Sequence, residues 1–232
     1  MKNVVLLGST GSIGTSTCKV AVDLPDDIRL IGLAAGRNAT QLHEQVKQFS
    51  PAAISMNCPD AAKELANELR RRVSGEVKFD PFSRVLYSTD ASIYQMEPIG
   101  VVIPRNVEDV LAVVEVAKDN RVPILPRAGG TSLAGQTVNH AIVTDFSKYL
   151  NQIIEVNVEE QWAKVQPGIV LDDLNRRLKP YGLMYAPDPT TSSRACVGGG
   201  VGNNTCGAHS VIYGKTLDHI KELDVILSDG NQ

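Results

Sequence analysis

Twice in this chain a short β-branched and leucine-rich run empties at once into a turn of glycine and small polar residues: NVVLLGSTGSIG at 3–14 and RVPILPRAGGTSLAGQ at 121–136. Such a turn offers backbone N–H groups at close range, which suits an anion. Two of them in one modest chain imply two anion sites. With 232 residues and 43% hydrophobic content, the chain can bury roughly 70% of its unfolded surface, enough for one large domain or two small ones.

Net charge of -3 argues against nucleic acid as a main partner, and the only basic run, Arg70 to Arg72, reads as the solvated end of a helix. Cys18, Cys58, Cys196 and Cys206 are scattered, with neither a CxxC pair nor a zinc spacing to the four histidines. We therefore expect reduced thiols in a cytosol, with no metal. The apolar run at the start is too brief for a signal peptide, and no segment approaches membrane-spanning length.

The first glycine turn follows NVVLLG, which reads as a buried parallel strand. A helix should open inside the turn, since Ser12 to Val22 places Ile13, Thr17, Val20 and Ala21 at helical spacing before LPDD ends it. IRLIGLAAG is a second strand, ATQLHEQVKQFSP a helix with Leu42, Val46 and Phe49 on one face, and AAISMN a third strand. The β-α-β-α-β order makes this sheet parallel. Gly8, Gly11 and Gly14 serve a tight turn, backbone approach to a pyrophosphate, and close packing of helix on strand. An NAD site would carry Asp or Glu after the second strand. Gly36, Arg37 and Asn38 stand there instead, and an arginine suits the 2′-phosphate of NADP.

LGSTGSIGTST followed by LAAGRN resembles the opening of 1-deoxy-D-xylulose 5-phosphate reductoisomerase, an NADPH enzyme of isoprenoid biosynthesis, over about residues 1–60. The resemblance implies that Thr10, Gly11, Ser12, Ile13, Gly36, Arg37 and Asn38 contact NADPH. That family goes on to the rest of the cofactor domain and a catalytic domain with acidic metal ligands. Neither follows here, so we expect a truncated Rossmann-like unit.

After PDAAKELANELRRRVSGEVKF, helical with Ala62, Leu65, Ala66 and Leu69 on one side, the chain changes character. PFSRVLYSTDASIYQMEP reads as an irregular lead-in and GVVIP as a strand. NVEDVLAVVEVAKDNR is a helix capped by Asn106, with Asp109 three residues on and Val107, Val110, Leu111, Val114 and Ala117 as its stripe. RVPIL is the strand before the second glycine turn. HAIVTDF, QIIEVNV and EQWAKVQP alternate as strands, VLDDLNRRLKPYG is a short helix ending at Gly182, and KELDVILSDG is a last strand. Between these, Pro187 to Thr216 reads as a long ordered loop able to wrap a ligand with backbone amides.

GVVIPRNVEDV, PILPRAGGTSLAGQ, VQPGIVLDDLN, APDPTTSSRACVGGGVGNNTCGAHS, YGKTLDHI and LDVILSDG resemble the FAD-binding, PCMH-type domain of the FAD-linked oxidases, the fold shared with vanillyl-alcohol oxidase. The likeness runs from about residue 70 to the end, and its wording is nearest the glycolate, D-lactate and D-2-hydroxyglutarate dehydrogenases. It implies noncovalent FAD held at its pyrophosphate by Arg127, Gly129, Gly130, Thr131 and Ser132 within the stretch Pro126 to Gln136, where Ala128 adds a further amide. Pro189, Thr190, Gly198, Gly199, Asn203 and Asn204 are implied to touch the rest of the cofactor.

The fold class expected is therefore α/β plus α+β: a truncated Rossmann-like parallel unit at 1–62, then a truncated PCMH-type FAD-binding domain at 63–232, joined at a seam between about Cys58 and Leu69. Three functions are open. One is the cofactor part of a 2-hydroxy-acid dehydrogenase that passes hydride from a small-molecule substrate to flavin N5. The others are an NADPH-dependent reductoisomerase fragment and a catalytically inactive fusion. No catalytic base is assignable: His140 and His209 are the candidates, but His209 reads better as holding its loop by hydrogen bonding. Asp188 and Asp218 read as turn and cap residues, His43 and His219 as structural, and Cys196 and Cys206 as small packed thiols.

Overall fold

A computed structural model describes residues 1–36, 38–56 and 59–232, so the candidate contact Arg37 and the thiol Cys58 lie outside the described residues. The chain divides into two units, Met1–Lys63 and Glu64–Gln232.

The first unit runs β1 (Lys2–Leu7), α1 (Ser12–Asp23), β2 (Ile28–Ala35), α2 (Ala39–Phe49) and β3 (Ala53–Met56). Its three strands are parallel, in the order β1-β2-β3. Cys18 and Ala21 of α1 and Leu42 of α2 bury against Leu30, Leu33 and Ala35, with Val4 and Leu6 beside them. The pleat turns Val5 and Leu7 to the opposite face, where both stay largely exposed, although parallel sheets are normally covered on both sides.

Helix α3 (Pro59–Arg72) crosses the division and leads to β4 (Glu76–Lys78), α4 (Pro81–Leu86), β5 (Gly100–Ile103), α5 (Val107–Asp119), β6 (Ile124–Arg127) and β7 (Ile142–Asp145). These strands form one sheet, β4-β5-β7-β6, antiparallel only at β4. Leu65 and Leu69 of α3 and Val113, Val116 and Ala117 of α5 pack on Val102 and Ile142. Val101, Ile103 and Val143 face the other way, toward Tyr87, Leu125 and Tyr149. The hairpin β8 (Ile153–Asn157) and β9 (Trp162–Val165) shares a third core with α6 (Leu171–Leu178) and the start of α7 (Val197–Asn203). The apolar residues Leu171, Leu174 and Leu178, three and four apart, seat α6 there.

Two features of the main sheet place the glycine turn. Parallel neighbours need a long crossover, and β6 reaches its parallel neighbour β7 through residues 128–141, so the turn is itself the crossover and starts at the C-terminal end of β6. That strand is at the sheet edge, where Pro126 withholds an N–H at little cost.

Several sequence expectations are corrected. The lead-in after residue 80 contains α4, capped by Asp80, whose Oδ1 accepts from Ser83 N at 2.9 Å, with Pro81 next. The stretch Pro187 to Thr216 is partly helical, with α7 and α8 (Ser210–Tyr213) inside it. KELDVILSDG forms no strand: Leu223, Val225 and Leu227 are about half exposed, and backbone bonding there is a local turn, Gly230 N to Leu227 O at 2.9 Å. Alternation defines a face, but a strand also needs a ladder partner. Cys196 is buried as expected, whereas Cys206 is exposed; Cys18 is buried as well. Among the described residues no helix is long and apolar enough to cross a membrane.

Glu76 anchors β4 electrostatically. Lys148 and Lys78 pair with its carboxylate and Tyr149 Oη donates to it at 2.7 Å, holding its pKa down from 4.5 to about 2. Arg105 and Lys148 both lie over the Tyr149 ring. A lowered carboxylate pKa adds stability above its unfolded value and loses it as pH falls toward the folded one. Here the window is 4.5 to about 2. Solvent reaches the cluster, so the contribution is about 1 kcal/mol at most. Chemical denaturation midpoints should therefore fall between pH 6 and pH 3 by more in the native chain than in Glu76→Gln; equal falls would refute the assignment.

Candidate functional site

The turn after β6 is shaped by three glycines. Gly130 and Gly135 adopt φ of +63° and +77°, in the left-handed region that other residues rarely enter. Gly129 answers to packing: a Cβ there would lie 2.2 Å from the Arg194 carbonyl oxygen, so the turn rests directly on that segment. A cavity of about 390 Å³ opens between the turn and α7. It is lined by residues 128–134, Gln136 and Thr137, by Thr191, Ala195 and Cys196, and by Gly199, Gly200, Asn203 and Thr205.

Polar side chains link the two sides. Ser132 Oγ donates to Gln136 Oε1, Gln136 Nε2 to Asn203 Oδ1 at 3.2 Å, and Asn203 Nδ2 to Gly199 O at 3.0 Å. Thr205 is held by buried Thr216, whose N and Oγ1 both donate to its carbonyl, at 3.0 and 2.8 Å, while Tyr185 Oη donates to Thr216 Oγ1 at 3.0 Å. Burial pushes the Cys196 thiol up, against the opposing pull of the Gly129 amide, so it remains a neutral packing group. No charged side chain lines the cavity among the described residues. An anion here would meet amides, hydroxyls and carboxamides.

Of the residues implied by resemblance, Ala128, Gly129, Gly130, Thr131, Ser132, Gln136, Gly199 and Asn203 line the cavity. Pro126, Arg127, Pro189, Thr190, Gly198 and Asn204 do not. Gly198 N donates to Pro167 O at 2.8 Å, and a Cβ on Gly198 would lie 2.6 Å from Pro167 Cβ, so this glycine serves packing. Asn204 is the left-handed C-cap of α7, with Oδ1 accepting from Leu217 N at 3.0 Å. Pro189 O accepts from Ser192 N at 2.9 Å within a turn. Arg127 lies behind the loop, donating to the carbonyls of Tyr87, Thr89 and Thr137. Thr137, Thr191, Cys196, Gly200 and Thr205 were not singled out as contacts by sequence, though all five sit inside or next to the two glycine-rich stretches.

The histidines and acids fall where local bonding holds them. His209 Nδ1 pairs with Asp188 Oδ2, and its N donates to Asp188 Oδ1 at 3.2 Å, which lowers the Asp188 pKa and pins the loop. Asp218 accepts from Lys215 N at 2.7 Å, and His219 Nε2 lies 2.8 Å from Tyr213 O. His140 is exposed, its Nδ1 3.1 Å from Glu97 O.

In the first unit, Gly8 takes φ +71° and its carbonyl accepts from Gly11 N at 2.9 Å, closing the turn into α1. Gly14 is sterically required: a Cβ there would lie 2.2 Å from Gly8 O and 2.6 Å from Ser9. Gln45 Nε2 donates to Ser9 O at 2.8 Å, tying the turn to α2. Ile13 and Gly36 are exposed. Asn38 caps α2, its Oδ1 accepting from Gln41 N at 3.0 Å. A cleft of about 480 Å³ between α1 and α2 contains none of the glycine-turn residues.

Known families match both parts of the chain. Residues 98–232 match the FAD binding domain model. The chain belongs to the FAD binding domain family. Residues 4–92 match the model for 1-deoxy-D-xylulose 5-phosphate reductoisomerase. Among curated proteins, D-2-hydroxyglutarate dehydrogenase of Pseudomonas putida is 41% identical over 190 residues, which is 81% of this chain and 19% of that protein. Glycolate oxidase subunit GlcD of Bacillus subtilis is 37% identical, covering 69% of this chain and 35% of its own length. The chain thus spans under a fifth of the D-2-hydroxyglutarate dehydrogenases it matches. Among solved structures, Physcomitrella patens BBE-like 1 superposes with a TM-score of 0.61 at 22% identity, over 72% of this chain and 36% of that one. Alkyldihydroxyacetonephosphate synthase gives 0.60 at 23%, over 66% and 34%. These likenesses show a shared fold.

Proposed function

We propose that the second unit binds FAD in the cavity between the 128–137 turn and α7, as the cofactor part of a flavin-dependent 2-hydroxy-acid dehydrogenase. The observation that carries this is the donor-lined, uncharged cavity at the C-terminal end of β6 in a chain of this family. Ligands in open α/β sheets gather at such strand ends. The lining fits a dinucleotide: consecutive amides at 128–132 suit a diphosphate, while Ser132, Gln136, Asn203 and Thr205 can bond sugar and ring edges. The chemistry FAD would supply is acceptance of a hydride at N5 from the hydroxyl-bearing carbon of the substrate. The relatives' names point to 2-hydroxyglutarate and glycolate as the substrate class. This cavity's own residues bind and orient; among the described residues no carboxylate or histidine lines it to take the hydroxyl proton. Added FAD should stay with the purified chain through gel filtration, with its fluorescence changed. Loss of all flavin on the column would overturn the reading.

A second reading concerns the first unit as a truncated Rossmann-like NADPH site. It is supported by the reductoisomerase match and by the glycine-only approach of Gly14 to Gly8. NADPH titrated into the same chain should bind, and Arg37→Asp should remove that binding while leaving FAD retention intact.

A further inference from the structure

We infer that Arg127 is a positioning residue that builds the cofactor turn from behind and does not itself touch the bound anion, an assignment that rests on the FAD reading of this cavity. Its guanidinium reaches three carbonyls on two chain segments: Nη1 donates to Tyr87 O at 3.2 Å and Thr137 O at 3.1 Å, and Nη2 to Thr89 O at 2.7 Å. The plane also lies over the Tyr87 ring, 5.3 Å from its centroid. Three of the fork's five N–H donors are thus spent on protein carbonyls. Gly130 closes over it: a Cβ there would lie 2.7 Å from Arg127 Nη2, so the turn is wrapped around the cation.

Further bonds run between the same two segments. Ala91 N donates to Gly130 O at 3.0 Å, and Thr137 Oγ1 donates to Asp90 Oδ2 at 2.8 Å. Tyr87 Oη donates to Asp145 Oδ2 at 2.6 Å, which anchors the stacked ring to the end of β7. Burial pushes the guanidinium pKa down, and Tyr87, Asp145 and Asp90 act against that push, so groups of the fold itself help to hold the charge behind the turn. The crossover from β6 to β7 contains no helix, so its conformation has to come from such cross-links. A planar fork with fixed donor directions can span Tyr87, Thr89 and Thr137 together, whereas a single ammonium cannot.

The test uses the full chain, as Arg127→Lys and Arg127→Met, read by hydrogen–deuterium exchange without cofactor and by FAD titration at several salt concentrations. Without cofactor, exchange at 87–91 and 128–137 should speed up about tenfold or more in both variants, with β5 and β7 as protected as before. FAD should bind more weakly to both variants, with lysine giving no rescue and the salt dependence of Kd unaltered. Unchanged exchange in Arg127→Met would overturn the inference. So would recovery of affinity in Arg127→Lys, or a loss of salt dependence, because a direct ion contact is screened. Loss of protection in β5 and β7 would also count against it, since the fork's work is confined to the two loops. If the native chain binds no FAD, the functional reading fails while the exchange experiment still decides the role of Arg127.

Discussion

Asp109→Ala should lower the stability of the second unit by about 3 kcal/mol, through loss of several charge-assisted bonds made by one buried group. Asp109 is 3% exposed in the first turn of α5. Oδ1 accepts from Ser74 N at 2.7 Å, while Oδ2 accepts from Ser74 Oγ at 3.0 Å and Arg105 N at 2.8 Å. The alanine variant leaves two backbone N–H groups without partners between α3 and β5, where Gly75 packs so tightly that a Cβ would lie 2.1 Å from Ile103 O. For a unit of this size the loss corresponds to about 10 °C in Tm. Asp109→Asn is the sharper variant. A carboxamide has one acceptor oxygen, yet N–H groups approach from both sides, so one must face an NH2 in either orientation. Its melting temperature should fall too, by less than that of the alanine variant, and native-like stability of Asp109→Asn would sink the account.

The same residue marks the limit of what was legible. Asn106 and Asp109 at capping-box spacing placed the start of α5, and Asn106 Oδ1 does accept from Asp109 N at 2.8 Å. The reciprocal half went elsewhere, to Ser74 and Arg105, because a partner 35 residues away leaves no local mark. The parallel strands of the first unit and both glycine turns were readable because apolar runs and glycines act over a few residues. So was the resemblance that led to the FAD binding domain family, carried by PRAGGTSLAGQ and CVGGGVGNN. Which of those residues meet the cavity was less readable. Gly198 and Gly199 are neighbours with the same chemistry, but the fold spends the first on Pro167 and leaves the second open to the cavity. Arg127 resembles an anion ligand in sequence, and only the carbonyls of Tyr87, Thr89 and Thr137 reveal its other occupation. KELDVILSDG had a strand's alternation without a strand's neighbour.

Gly129→Ala should cost more in cofactor affinity than any other single methyl added to the turn. The added carbon would sit 2.2 Å from the Arg194 oxygen, with backbone on both sides of the contact, so no side chain can swing away. Relief requires the turn to lift from the segment that carries Thr191, Ala195 and Cys196, which are the cavity's other lining. Overpacking of this kind costs about 1–3 kcal/mol. The cofactor-free chain can escape part of that cost by opening the cavity. A bound dinucleotide needs the two segments together again, so the same energy reappears against binding, a weakening of about 10- to 100-fold in Kd for FAD. Gly202→Ala is the matched control. Its Cβ would meet nothing within 4 Å, and Gly202 lies in α7 outside the cavity lining. There the exchange should raise stability by up to about 1 kcal/mol through helix propensity and leave FAD binding untouched. Titrating both variants with FAD separates geometry from composition: equal affinities would mean that contact between the turn and the Arg194 segment does not shape the site.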